Sequence, residues 1–274
     1  MKAILLAAGI SSRFYPYNKL GHKSLVTLLG KPLILHTLES LKRSGIKDVV
    51  IVEGAKQDVS KTIIGKIPEG IKAEFVVQEK AEGMGEALLL CKDLIEGETF
   101  FLLSAYHFDF GQFAAEMQNA VKNGIVLLTS KTDDLSQFGS VARKEGKIKV
   151  FEKPKEKKTG EKIVGIYLLN KDFLAALKKE KKEHYSFENA LSTYSNLQVV
   201  TLIEAKKPTI VLKFPWDLLF VKDYLLESLE NKISKGADIS ARAVISGKVV
   251  IETGAKVMDN AVIMGPSFIG ENAY

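Results

Sequence analysis

The amino-acid sequence predicts an α/β fold: a mostly parallel sheet covered on both faces by helices, followed by a short parallel β-helix. Two observations lead to this prediction. In the first half, short segments that are apolar throughout alternate with helical segments, a pattern typical of buried parallel strands. Near the C-terminal end, aliphatic residues recur at every sixth position, which is the period of a β-helix with one inward aliphatic per face.

The first half of the chain supplies the predicted sheet. Strands are predicted at residues 3–6, 48–52, 73–77, 99–104 and 124–130, and helices at residues 32–42, 57–65, 83–95 and 110–122. Pro32 fits the start of the first helix, where proline is favoured. Ligands of such sheets bind beyond the carboxyl ends of the strands. The loop of residues 9–13 and the segment of residues 104–109 therefore form the expected binding edge.

The second half mixes strands and helices before the repeat begins. Strands are predicted at residues 139–143, 147–152 and 163–169, and helices at residues 172–182 and 186–194. A longer amphipathic helix at residues 215–232 is expected to link two domains, with Trp216 as its anchor in the core. The predicted domains are residues 1–232, the α/β domain, and residues 233–274, the β-helix.

Six aliphatic residues define the C-terminal repeat. They are Ile239, Ile245, Ile251, Val257, Ile263 and Ile269. With three faces per coil, the segment makes about two coils; two ordinary strands with coincidental spacing are the alternative. Repeat proteins normally cap their ends. The open last coil therefore predicts either a truncated sequence or an edge that docks onto another subunit.

Composition narrows the classes of partner. No apolar run approaches the roughly 18 residues of a membrane span, and the start of the chain has no signal-peptide pattern. The net charge is +6, but acids alternate with the clustered lysines and no aromatics interleave, so we expect no nucleic-acid partner. Cys91 is the single cysteine. It fits a cytoplasmic protein and a small core residue rather than a nucleophile.

The loop after the first predicted strand carries the clearest functional signal. It contains Gly9 and Arg13, and Lys23 follows the arginine by ten residues. Backbone N–H groups of such a loop can wrap the phosphates of a nucleotide, and the two cations add positive charge. No Gly-x-Gly-x-x-Gly follows the strand, which argues against a dinucleotide-binding oxidoreductase.

Several segments together resemble the sugar-1-phosphate nucleotidylyltransferases. They are Leu6-Ala7-Ala8-Gly9-x-x-x-Arg13 with Lys23 and Gly30-Lys31-Pro32-Leu33, Glu152-Lys153-Pro154 with Gly165-Ile166-Tyr167, Pro215-Trp216-Asp217-Leu218-Leu219, and the hexapeptide repeat. The resemblance spans the whole chain. It implies a Rossmann-like, mostly parallel sheet sandwiched by helices, followed by a short left-handed parallel β-helix.

The resemblance also implies an activity, the transfer of a nucleotidyl group from an NTP to a sugar 1-phosphate with release of pyrophosphate. The expected ligand is a nucleotide or a nucleotide sugar. Such chemistry depends on positioning and cations more than on an acid–base pair. Mg²⁺ is the expected cofactor if the chain is active, and none is expected otherwise.

Roles for individual residues follow from their places in these motifs. Arg13 would hold the leaving pyrophosphate and Lys23 the α-phosphate. The base and phosphates would meet the backbone of Leu6, Ala7, Ala8 and Gly9. Gln78 would read the base edge, and Gly83 would lie near the base and sugar, where a Cβ would clash. The sugar phosphate would meet Gly139, Glu152 and Lys153.

Two positions depart from the family pattern at the expected metal site. Tyr106 falls where a Mg²⁺-binding carboxylate is expected after the fourth strand, and Val211 falls at the position of the second metal ligand. A neutral phenol and an aliphatic side chain are poor ligands for a hard cation. No metal ligand is therefore assigned, although Asp109 or His107, and Asp217 at the second position, could compensate.

Smaller departures flank the expected nucleotide site. The family's Lys-Pro is Lys23-Ser24 in this chain, preceded by His22. The family's Gly-Thr-Ala is Gly83-Met84-Gly85.

These departures leave two functions open. One is an active nucleotidylyltransferase with relocated metal ligands, which predicts Mg²⁺-dependent release of pyrophosphate. The other is a catalytically inactive regulatory or assembly subunit. It would bind a nucleotide or nucleotide sugar without turnover and join a homo- or hetero-oligomer through the β-helix.

Overall fold

The computed structural model describes residues 1–95, 97–121, 124–144, 147–152 and 159–274. The chain divides into two compact units: Met1–Leu25 with Leu33–Ile210, and Val26–Pro32 with Val211–Tyr274. The domain boundary after residue 232 stays a prediction. Among the described residues, no helix combines the length and the apolar character that crossing a membrane requires.

A nine-stranded sheet forms the centre of the first unit. Its strands are β1 Lys2–Ala7, β2 Asp48–Gly54, β3 Lys72–Gln78, β4 Thr99–Ser104, β5 Ile125–Thr132, β6 Gly139–Lys144, β7 Lys147–Glu152, β8 Gly160–Asn170 and β9 Val200–Glu204. The order across the sheet is β9-β5-β8-β4-β1-β2-β3, and the β6–β7 hairpin attaches through β8. Strands β1 to β4 pair in parallel, so their carboxyl ends meet at one edge.

Helices cover both faces of this sheet, as predicted. They are α1 Leu33–Arg43, α2 Asp58–Ile63, α3 Met84–Leu90, α4 Ala114–Ala120, α5 Lys171–Leu177 and α6 Ser186–Ser195. Because side chains alternate along a strand, Leu5 enters a core with α1, α2 and α4, while Ile4 enters a second core with α3, α5 and α6. The mixed, parallel-rich α/β fold is confirmed.

Several element boundaries differ from the predictions. The helix predicted at residues 83–95 ends at Leu90, and the long helix predicted at residues 215–232 covers only Asp217–Glu227. Strand β8 runs antiparallel between β4 and β5, so it reverses the direction of the sheet locally. Helix α5 ends at Leu177, whereas the predicted helix continued through the charged residues 178–182. Strand β9 has no predicted counterpart, although it pairs in parallel with β5 over its whole length.

Cys91 follows helix α3 and is fully buried. Burial raises the pKa of its thiol to about 12, so the thiol stays protonated at neutral pH. The expectation of a small core residue is confirmed.

The second unit contains helix α7 Asp217–Glu227, a hairpin of Thr27–Leu28 with Lys31–Pro32, and a series of very short strands. The short strands are β10 Lys232–Ile233, β11 Asp238–Ile239, β12 Val244–Ser246, β13 Val249–Ile251, β14 Lys256–Val257, β15 Val262–Met264 and β16 Ser267–Ile269. Each of the first four pairs in parallel with the strand eighteen residues further on, as Lys232 pairs with Val250 and Val250 with Phe268. Three small sheets result.

The six aliphatic residues of the repeat all belong to one apolar cluster of this unit. The anchoring role expected of Trp216 is wrong. Its side chain is 61% exposed and stacks on Phe214 with ring centroids 4.7 Å apart. Helix α7 instead buries Val221 and Leu225.

Candidate functional site

A cleft of about 420 Å³ opens at the carboxyl edge of the sheet, beyond β1, β3 and β4. Its lining consists of Leu6, Ala8, Gly9, Ile10, Ser11, Ser12, His22, Lys23, Gln78, Ala81, Gly83, Met84, Ala87, Ser104, Tyr106 and His184. Six of the residues predicted from the sequence lie in this lining: Leu6, Ala8, Gly9, Lys23, Gln78 and Gly83. Ala7 does not, because alternation along β1 sends it into the core beside α1.

The loop after β1 bends into a short 3₁₀ turn at Ser12–Phe14, with Ser11 in the left-handed region at φ 54°. Phe14 is buried and anchors the turn, whereas Arg13 is exposed. Arg13 Nη1 donates a hydrogen bond to Gln137 Oε1 at 3.4 Å. Arg13 lies outside the cleft lining, so its contact with pyrophosphate stays a prediction.

Lys23 begins a second 3₁₀ turn, Lys23–Leu25, and hydrogen bonds of the adjacent residues stabilise this turn. His22 Nδ1 accepts a hydrogen bond from the Ser24 N–H at 3.2 Å and lies 2.8 Å from Ser24 Oγ. The backbone N–H of His22 donates to Asp58 Oδ2 at 2.8 Å. The histidine and serine thus fix a turn for which the family pattern has proline.

Protonation of His22 is expected to weaken the fold. Burial and the neighbouring Lys23 charge lower the pKa of His22 from 6.5 to about 3. Between these values the unfolded chain binds a proton that the folded chain excludes, so this contribution to stability is complete above pH 6.5 and declines toward pH 3. At pH 5.5 the loss is about 1.4 kcal/mol.

Urea unfolding of the parent and His22→Asn between pH 7.5 and 5.5 measures this effect, because asparagine keeps an acceptor for Ser24 but does not titrate. The pH dependence is expected to be about 1.4 kcal/mol shallower in the variant. The same change at exposed His184 is the control. Equal pH dependence in the parent and His22→Asn would contradict the assignment.

Gln78 ends β3 and is 4% exposed. Its Nε2 donates to the Gly83 carbonyl at 3.1 Å and also to the Glu86 carboxylate. The amide nitrogen therefore holds the start of helix α3, and Oε1 is the atom that remains to meet a base edge. Base reading by Gln78 stays a prediction, in which Oε1 would accept a hydrogen bond from a donor on the base.

Gly83 precedes α3 at φ +104°, in a region that favours glycine. A Cβ at this position would collide with the backbone carbonyl of His184, which lies two residues before α6. Gly85 is also close to α6, because its Cβ would meet the Ser186 side chain and lie 3.1 Å from the Phe187 backbone nitrogen. The two glycines thus allow the start of α6 to form one wall of the cleft. His184 was missed because nothing local in the sequence signals this approach.

The described residues around the cleft do not fit a Mg²⁺ site. Tyr106 lines the cleft and places its ring 4.3 Å from Lys23 Nζ, measured to the ring centroid. Asp109 is 1% exposed and both of its oxygens are bonded: Oδ1 lies 3.1 Å from His107 Nδ1, and Oδ2 accepts from Ile210 N at 2.8 Å.

Of the other proposed substitutes, His107 lies outside the cleft lining and Asp217 belongs to the second unit. Asp217, in the second unit, uses Oδ2 to accept from the backbone N–H groups of Lys213 and Phe214 before α7. His107 Nε2 is buried and has no hydrogen-bond partner among the described residues. In the part of the chain that the structure describes, no three His, Cys, Asp or Glu side chains are placed to share a metal ion.

The predicted sugar-phosphate residues lie on the β6–β7 hairpin. Gly139 and Glu152 are paired opposite each other in its register. Gly139 is outside the cleft lining. The side chain of Glu152 and the whole of Lys153 fall outside the described residues, so their roles stay predictions.

Comparison with known proteins identifies the family. The family model described as nucleotidyl transferase matches residues 2–202. The chain belongs to the nucleotidyl transferase family. Among relatives, the bifunctional protein GlmU of Methanococcus vannielii is 30% identical over 265 residues, covering 93% of this chain and 61% of that protein. This chain therefore spans about three fifths of that relative.

Two further relatives support the sugar-1-phosphate branch of the family. A glucose-1-phosphate thymidylyltransferase of Streptomyces griseus is 27% identical over 293 residues, covering 98% of this chain and 78% of that protein. A crystal structure from Bacillus anthracis, assigned as a glucose-1-phosphate thymidylyltransferase and containing sucrose, matches with a TM-score of 0.71 and 28% identity. The match covers 82% of this chain and 94% of the chain in the crystal structure. The resemblance to sugar-1-phosphate nucleotidylyltransferases is confirmed.

Proposed function

We propose that the cleft binds a nucleotide or nucleotide sugar and that nucleotidyl transfer to a sugar 1-phosphate is the reaction class of this site. The observation that carries the proposal is that Lys23 lines the same cleft as Ala8 and Gly9. Apolar lining such as Leu6 and Met84 suits the face of a base, and the lysine suits a phosphate. The thymidylyltransferase relatives support this ligand class.

A second function, binding without turnover, is favoured by the poor fit to Mg²⁺. Family members generally use Mg²⁺, which would neutralise charge on the reacting phosphates. Tyr106 and the doubly bonded Asp109 offer no such ligation. The chain would then act as a regulatory or assembly subunit.

Calorimetry tests binding with ATP, GTP, UTP and dTTP, and with the corresponding nucleoside diphosphate glucoses. Lys23→Ala is expected to weaken the tightest of these ligands at least tenfold, because a charge-assisted contact to phosphate is lost. Lys19→Ala is the matched control, since Lys19 lies over the Tyr15 ring outside the cleft lining. Equal affinities of both variants would place the ligand elsewhere. Pyrophosphate release with sugar 1-phosphates distinguishes the enzyme from the subunit.

We also propose that residues 233–274 form a left-handed parallel β-helix through which the protein assembles into oligomers. The parallel pairing at an interval of eighteen residues supports three faces per coil. Exposed Val244, Val262 and Met264 lie on one paired set of strands and suit a contact surface. Light scattering that gives the mass of a single 30.2-kDa chain would count against assembly. We further propose a cytoplasmic location, because Cys91 is the single cysteine and fits a reducing compartment.

A further inference from the structure

An aromatic ring lies against the cation of the cleft. Lys23 Nζ is 4.3 Å from the centroid of the Tyr106 ring, well inside the range of a cation–π interaction. Both side chains line the same cleft.

Both partners are carried by constrained backbone. The His22–Ser24 hydrogen bonds fix the turn of Lys23. On the other side, the Ala105 N–H donates to the Leu6 carbonyl at 3.1 Å, which ties the segment of Tyr106 to β1. The ring also packs against His107, with centroids 4.9 Å apart. The pair is therefore arranged before any ligand binds.

We propose that Tyr106 is a positioning residue that holds the Lys23 ammonium in the cleft, and that this cation neutralises the phosphates of a bound nucleotide in place of a protein-held divalent ion. This inference rests on the proposed function, the binding of a nucleotide in the cleft. It assigns to the residue at the expected metal position a different role, that of supporting a lysine.

Charge favours a metal-free ligand in this arrangement. Carboxylates that bind a metal repel a polyphosphate until the metal bridges the two. The described cleft lining contains no Asp or Glu, and Asp109 is bonded elsewhere. A divalent ion on the nucleotide would also remove negative charge that Lys23 attracts. Binding is therefore expected to be no weaker without the ion.

Calorimetry on the full chain tests the positioning role of Tyr106 and the binding of nucleotide without a divalent ion. The ligands are ATP, GTP, UTP and dTTP, each in excess MgCl₂ and in excess EDTA. For the tightest nucleotide, the affinity in EDTA is expected to equal or exceed that in MgCl₂. Tyr106→Leu is expected to weaken binding about fivefold, whereas Tyr106→Phe keeps the ring and the affinity. Tyr15→Leu is the matched control, since it removes the ring beneath Lys19.

A double-mutant cycle separates positioning from general damage. In a Lys23→Ala background, Tyr106→Leu is expected to cause no further loss, because the cation it positions is gone. Binding that requires MgCl₂, an unchanged affinity in Tyr106→Leu, or equal losses in the Leu and Phe variants would overturn the inference while leaving the proposed function intact. Failure of every NTP to bind in both buffers would overturn the inference, and failure of the nucleotide sugars as well would refute the proposed function. The comparison of MgCl₂ with EDTA needs no variant, so the inference can still be overturned if Tyr106→Leu does not fold.

Discussion

Replacing Asp109 with alanine is expected to lower the free energy of unfolding by about 3–5 kcal/mol. The carboxylate is 1% exposed and accepts hydrogen bonds from His107 Nδ1 and from the Ile210 N–H. Alanine leaves both donors buried without a partner, and each such group costs its desolvation energy. Urea unfolding at pH 7.5 measures the loss.

Two further substitutions make the Asp109 result specific. Asp109→Asn keeps an oxygen for the Ile210 N–H, so its loss is expected to be about half that of alanine. Asp93→Ala removes a carboxylate that is 87% exposed and is expected to change stability by less than about 0.5 kcal/mol. If Asp109→Ala proves as mild as Asp93→Ala, the buried network does not stabilise the fold, and Asp109 would again be a candidate metal ligand.

The parts of the cleft that could be predicted are those that one stretch of sequence encodes. The strand of Leu6, the small-residue loop at Gly9 and the lysine at position 23 occur within two dozen residues, and the sequence order is enough to bring them to one edge. All three line the cleft as expected. The same holds for the alternation of strands and helices, because burial on both faces leaves a pattern in the sequence.

The parts that could not be predicted depend on contacts between distant residues. Tyr106 lies 83 positions from Lys23, and Asp109 lies 101 positions from Ile210, so no local spacing indicates either pair. The sequence could show only that Tyr106 departs from a carboxylate, not that its ring faces a lysine. Strand β9 is a different case. Its apolar run was visible, but its pairing with β5 is what makes it a strand.

Trp216 shows the limit of a rule based on residue type. A large aromatic beside a predicted helix usually marks the core. In this chain it stacks on Phe214 with an interplanar angle of 9° and remains 61% exposed. The stacking partner lies two residues away, so the ring has a local aromatic contact and does not pack in the core.

Replacing Gly83 with alanine is expected to cost about 3 kcal/mol of folding stability and to weaken nucleotide binding. Gly83 has φ +104°, which alone costs an alanine about 1–2 kcal/mol. The new Cβ would also strike the backbone carbonyl of His184, which cannot rotate away as a side chain could. Relief requires α3 and the segment before α6 to separate, and both line the cleft through Met84 and His184. Thermal and urea unfolding, with calorimetry on the same preparations, measure the two effects.

Gly45→Ala is the control for a glycine at positive φ that has no neighbouring atom to strike. Gly45 has φ +80°, but a Cβ there would meet nothing within 4 Å. Its loss is therefore expected to be about 1 kcal/mol, with nucleotide affinity unchanged. The difference between the two glycine variants reports the collision with His184 together with the more extended backbone of Gly83, at ψ 177°. Equal losses at both positions would mean that α6 does not press on the start of α3, and the wall of the cleft formed by His184 would lose its structural support.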